Sequence, residues 1–358
     1  MAIALDEHRA PRTGLDDARR VLRHARVHSR GRTVSVTVGL AVATFVAFCV
    51  SISVGDFPIP LVDVVPAVFG FGDPDSDFII RTLRLPRAVN GLLVGIAFGM
   101  SGTVFQTMAR NPLASPDVIG ITQGASFSAV LVIVLVGGSS TLVAGSALFG
   151  ALAVSLAVYA LAYRQGVSSY RLVLVGIGVG AVAMAGTEYL LTRADLYDAQ
   201  RAFVWLTGSL NGRGWDQARP LAAVLLVLLP VLAVLSRPLR GIQLGDDTAK
   251  ALGVSVERSK VGLILTAVAL AAVATAAAGP IAFVAFVSGP IARRMTRSSG
   301  LSFIPTALVG ALVVLLSDLV GRRLFAPTEL PVGVITGIIG APYLLWLLAR
   351  SNKVGSGG

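Results

Sequence analysis

Long apolar runs separated by short polar stretches dominate this chain. The pattern predicts about ten membrane-crossing helices, over roughly 34–54, 87–108, 117–137, 141–163, 171–192, 217–236, 260–278, 280–295, 302–321 and 331–349. A helix needs about 20 residues to cross ~30 Å of hydrocarbon. Only the eighth run falls short, and Gly279-Pro280 barely separates it from the seventh. The second run carries Gly91, Gly95 and Gly99 on one helical face, a spacing that lets a neighbouring helix approach backbone to backbone in lipid. It stops at Arg110-Asn111-Pro112, because a proline and the residue before it both resist helix. The turn from Asn111 and Pro112 to Pro116 is then expected as a buried re-entry at the inner surface. In the last run, Gly333 and Gly337 are expected to serve close packing.

Composition agrees with this pattern. Hydrophobic residues make up 54% of the 358 residues and charged residues 14%, with a mean hydropathy of +0.79. A soluble globular domain does not use that much apolar surface, so the class is all-α and polytopic. The single cysteine, Cys49, lies within the first run, and all three histidines (His8, His24 and His28) lie before it. A disulfide framework, a thiol metal site and a histidine-ligated metal centre in the membrane are therefore excluded. No Gly-rich loop ends in Gly-Lys-Ser/Thr, so the chain carries no P-loop of its own. The net charge of +11 sits in tails and loops between apolar runs, as topogenic charge does, and does not indicate nucleic acid.

With the N-terminus inside, 21 basic residues fall in inner segments and 9 in outer ones. The positive-inside rule then puts both termini in the cytoplasm. Residues 1–33 form a basic tail, 34–350 the membrane domain and 351–358 a second tail. In the first tail Leu15, Ala18, Leu22 and Ala25 share a helical face that would suit anionic lipid. A tail that merely fixes orientation fits as well. The tail is expected to be retained, since it is long and acidic before its apolar run and lacks a cleavage site.

Three polar features break the pattern. Arg84, Arg87 and Arg322 lie on the outer side, against the orientation rule. They would serve as snorkelling anchors, as partners of Asp56, Asp63, Asp73, Asp75 or Asp77, or as a dock for an acidic partner. The outer segment 193–216, with Trp205 and Trp215, predicts an interfacial helix. The inner segment 237–260 is too polar for lipid, while Leu244, Ala249, Leu252 and Val254 are too apolar for an idle loop. Gly245 and Gly253 suggest two short helices with a turn between them.

Several unlike blocks in order, Arg84-Leu85-Pro86-Arg87, RNPLASPDVIG from Arg110, LGDDTAKALGVS from Leu244 and ELPVGVITGIIGAPYLLWLL from Glu329, resemble the FecCD-type permeases of bacterial ABC importers for iron-siderophore, haem and cobalamin. WLTGSLNGRGW from Trp205 is more similar to the ferric-enterobactin type than to the cobalamin type. The resemblance implies a type II ABC importer permease in the inner membrane, with an inverted repeat relating spans two to five and seven to ten. The two sets are offset by five crossings, an odd number, so any repeat between them must be inverted. It further implies docking of the binding protein on Arg84, Arg87 and Arg322. Contact with the ATPase is implied through Leu244, Gly245, Ala249, Leu252 and Gly253, and a cytoplasmic gate at Ser168, Ser169 and Tyr170. Partners would be two ABC ATPase subunits that hold the ATP and magnesium, a second permease chain and an extracytoplasmic siderophore-binding protein. Many relatives read FVGLVVPHIAR where this chain has Pro290 in place of the histidine, a departure that favours a heterodimer.

Glu188 and Asp318 are the ionisable residues within spans that a proton-coupled carrier would need, and neither has an evident partner in the sequence. A membrane enzyme would need a nucleophile–base pair or a metal cluster, and the spans offer neither.

Overall fold

The computed structural model describes residues 13–355 apart from 56, 58, 72–76, 164–168 and 298–300. The described elements are helices: α1 (Thr13–Ser53), α2 (Leu61–Val68), a π-helical turn (Ile79–Arg84) running into α3 (Leu85–Ala109), α4 (Ile121–Val136), α5 (Ser140–Ala162) and α6 (Ser169–Arg193). They continue with α7 (Leu196–Leu206), α8 (Trp215–Gln243), α9 (Asp246–Ala251), α10 (Val256–Ala278), α11 (Val284–Thr296), α12 (Phe303–Arg323) and α13 (Val332–Gly355). Seven stretches are long and apolar enough to cross a membrane, and Ile121–Val136 and Val332–Leu347 are shorter apolar helices. With the buried α11, ten helices correspond to the ten predicted runs. The face on which α1 begins is called near, and the opposite face far.

Boundaries moved where polar residues continue a helix. Arginine, glutamine and lysine are good helix formers, so α8 runs to Gln243 and α10 begins at Val256. The predicted pair of short helices in 237–260 is therefore one, α9. The helical backbone from Thr13 is continuous with the first span, while the side chains of Leu15, Ala18, Leu22 and Ala25 lie outside the described residues.

The interior belongs to α3 and α10, whose most apolar windows are 78% and 67% buried, against 22–28% for α5, α6 and α8. Glycine places α3. A methyl group on Gly95 would meet the backbone of Gly310 and Ala311, and one on Gly99 would lie 3.0 Å from the Thr306 carbonyl. α12 thus lies backbone to backbone against α3, as the glycine spacing predicted. Contacts repeat between the halves. α3 packs on α11 and α12, and its counterpart α10 packs on α4 and α5.

α10 does not continue directly into α11. The break between them uses left-handed backbone at Gly279 and Phe283, and the facing turn uses it at Gly208. Break, turn and last helix are tied together across the sequence. Ser209 N donates to the Ala278 carbonyl at 2.8 Å, and Gly333 N to that of Gly208 at 3.0 Å. A methyl on Gly333 would strike Thr207, whereas nothing of this chain lies near Gly337, so only the first of the two glycines serves close packing within the chain.

Candidate functional site

At the far face, α3 and α12 hold an ionic network. The Arg87 guanidinium donates to Asp318 Oδ1 from Nε at 3.1 Å and from Nη2 at 3.0 Å. Its remaining edge, Nη1, donates to Glu329 Oε2 at 3.1 Å. Asp318 Oδ2 lies 3.1 Å from Arg322 Nε. The Asp318 side chain is 2% exposed and Glu329 36% exposed. Arg322 also donates to the Ser51 hydroxyl at 2.8 Å and to the Ser51 carbonyl at 3.1 Å, and so grips the end of α1. Arg84 does the same through the carbonyls of Ile52 and Ser53, both at 3.0 Å. Arg323 donates to the Gly55 carbonyl.

All three arginines predicted as docking forks thus already serve groups of this chain. Arg87 pairs with Asp318 and Glu329, and Arg322 with Asp318, rather than with the predicted acids; Asp63 makes no ion pair among the described residues, and Asp56, Asp73 and Asp75 lie outside them. Asp318, which the sequence left without a partner, is the centre of the network. Glu329 meets Arg87. One half of this was readable, since Asp318 and Arg322 are spaced i, i+4.

Between α6 and α8, α7 confirms a helix in 193–216, but Trp205 is buried instead of lying at an interface. Trp215 donates from Nε1 to the Arg81 carbonyl at 2.9 Å. Burial lowers the Arg213 guanidinium from its ordinary value in the turn before α8.

At the near face, α9 is the organising element. Gly245 precedes it at φ +116° and Gly253 follows at φ +80°, conformations that glycine adopts without strain. Asp246 accepts from Lys260 Nζ at 2.5 Å and lies 3.8 Å from Arg110. Lys260 is nearly buried on α10, with 6% of its side chain exposed. Arg110, itself in the left-handed conformation at the end of α3, also donates to the Ile242 carbonyl at 3.0 Å. One carboxylate therefore joins α9 to α10 and reaches towards α3. Of the five residues predicted to meet a motor, Leu244 and Leu252 are each 66% exposed, whereas Ala249 is fully buried. Ala249 packs the helix down and cannot be a contact.

The Asn111–Pro116 turn is expected to be buried, and only its second half is. Asn111 Oδ1 accepts from Leu113 N at 2.9 Å, and Gln106 donates to the carbonyls of Pro112 and Phe286 at 3.0 and 2.8 Å. Ala114, Ser115 and Pro116 are buried, while Asn111 and Pro112 are exposed. Of the predicted gate, Ser168 lies outside the described residues, as does the Ser169 side chain. Tyr170 is exposed at the start of α6.

Close-packed helices, seven of them long and apolar enough to cross a membrane, with ionic networks gathered at the two faces, define a multi-pass membrane protein. The chain belongs to the FecCD transport family, whose profile matches residues 43–350. It is 43% identical over 290 residues to the ferric enterobactin transport system permease protein FepG of Escherichia coli (strain K12), covering 81% of this chain and 88% of that one. It is 41% identical to the achromobactin transport system permease protein CbrC of Dickeya dadantii (strain 3937), covering 89% and 91%. The fold is similar to a solved metal-chelate type ABC transporter in an inward-facing conformation, with a TM-score of 0.80 and 27% identity, covering 88% of this chain and 99% of that one.

Proposed function

We propose that this chain is the transmembrane permease subunit of an ATP-driven importer that carries an iron–siderophore complex into the bacterial cytoplasm. The observation that carries this reading is the 43% identity to a ferric enterobactin permease over four-fifths of the chain. A catecholate cargo follows from that relative. The achromobactin relative at 41% keeps the cargo class wider than one siderophore, and haem or cobalamin would be the next candidates.

In this reading the near face is cytoplasmic and both termini lie there. Leu244 and Leu252 sit in a groove of the partner ATPase, which holds ATP and magnesium. Ser168, Ser169 and Tyr170 close the path at the same face. A second FecCD-type chain, most simply a different one, completes the channel, and an extracytoplasmic binding protein docks on the far face around Arg84, Arg87 and Arg322. Rim ion pairs of this kind set register and on-rate more than affinity. Asp318 does not suit a proton relay, because two arginines hold its carboxylate.

Co-purification followed by reconstitution tests the proposal. An ATPase and a second permease chain should accompany this one, and vesicles should take up ferric siderophore only with nucleotide and binding protein present. Uptake by the chain alone, without nucleotide, would overturn it.

A further inference from the structure

We infer that Glu329 is a displaceable internal stand-in for a carboxylate of an acidic protein partner at the far face, so that docking there begins by exchanging Glu329 off Arg87. The inference rests on the docking reading above and adds to it the group that must leave.

Geometry separates the two carboxylates on Arg87. Asp318 takes the Nε–Nη2 edge, is buried, and has its second oxygen against Arg322. Removing it would strand two largely buried guanidiniums, which is costly. Glu329 takes the Nη1 edge alone, is over a third exposed, and makes no other ion pair among the described residues. The Arg87 side chain is only 15% exposed, and Asp318 already holds its Nε and Nη2, so an incoming carboxylate competes with Glu329 for Nη1. A guanidinium N–H pairs with any carboxylate in a charge-assisted bond, so the Nη1 seat suits a partner's acid as it suits Glu329.

The segment carrying Glu329 is built to let it go. Residues 324–329 are exposed. Backbone bonds hold the connection from α12 to α13 at two points, Thr328 N to the Phe325 carbonyl and Leu330 N to the Gly321 carbonyl, each 2.9 Å. The second bond fixes the end of the segment to α12, so exchange of Glu329 frees the exposed part without releasing α13. Rim ion pairs are weak in water, hence the exchange is nearly balanced and docking is not blocked by it.

The test measures binding of the cargo-loaded cognate binding protein to the assembled transporter in nanodiscs, for wild type, Glu329→Gln, Glu329→Asp and Asp216→Asn. Asp216 is exposed at the far-face end of α8 and makes no ion pair among the described residues, so it controls for net charge. Glu329→Gln should bind about two- to fivefold tighter, the factor of one rim ion pair. Glu329→Asp should fall between it and wild type, and Asp216→Asn should match wild type. Hydrogen exchange over 324–331 in wild type should rise on docking. If wild type binds in a salt-sensitive manner while both Glu329 variants bind no tighter, the inference is overturned and the docking reading stands. If Asp216→Asn tightens binding as much as Glu329→Gln, general charge explains the effect and the inference is again overturned. If wild type binds no partner, or binds without salt dependence, the docking reading itself fails and takes the inference with it.

Discussion

Gly95 and Gly310 face each other across α3 and α12 so closely that a methyl group on Gly95 would lie 2.5 Å from the Ala311 Cα. Neither backbone can yield without moving a whole helix. Gly95→Ala should therefore cost about 1–3 kcal/mol, as overpacking does, and lower the thermal midpoint in detergent. Gly333→Ala should behave similarly because of Thr207, while Gly337→Ala should be near neutral since nothing of this chain lies near it.

Asp318→Asn keeps the shape of the far-face network but removes the charge that two guanidiniums share. Breaking a buried pair from one side costs about 3–5 kcal/mol. The variant should lose thermal stability and yield, and any uptake that survives should keep the wild-type dependence on pH. A stable variant with an altered pH profile of uptake would instead mark Asp318 as a proton carrier.

At the near face, Asp246→Asn should destabilise by about 1–3 kcal/mol, because it leaves the Lys260 ammonium without its counter-charge. Lys260→Met alone should cost less. The double variant should cost less than the sum of the two singles, since each removes what the other leaves stranded. Chemical denaturation of the four proteins reads the coupling.

Leu244→Ser and Leu252→Ser should leave the permease as stable as wild type while weakening retention of the ATPase during purification, because both side chains are exposed. Ala249→Leu should do the reverse and unsettle the fold by overpacking, with the ATPase lost only as a consequence. Comparing the thermal midpoint with the ATPase-to-permease ratio separates the two effects.

The ten runs were legible because lipid enforces them: a stretch of about 20 apolar residues has few other uses. The ends were not legible, since polar helix formers such as Arg237, Arg240 and Gln243 extend a helix past the hydrocarbon without any apolar signal. The far-face network was half visible. Asp318 and Arg322 share a helical face, but Arg87 reaches Asp318 across 231 positions and Glu329 across 242, and no local pattern encodes such pairings. Gly333 and Gly337 show a further limit, because spacing identifies a face but not which turn of that face meets another backbone. Ala249 was misjudged for a related reason: apolar residues on a six-residue helix serve either the fold or a partner, and composition alone does not separate them.

The break between α10 and α11 is tied to the turn after α7 through the Ala278 carbonyl, and that turn is tied to the start of α13. Three stretches far apart in sequence are thus riveted into one rigid knot. In the importer proposed above, which would open first to one side of the bilayer and then to the other, the knot should travel as a single piece. Bending is left to the joints around it, and slowly exchanging amides at Ser209 and Gly333 would trace its outline.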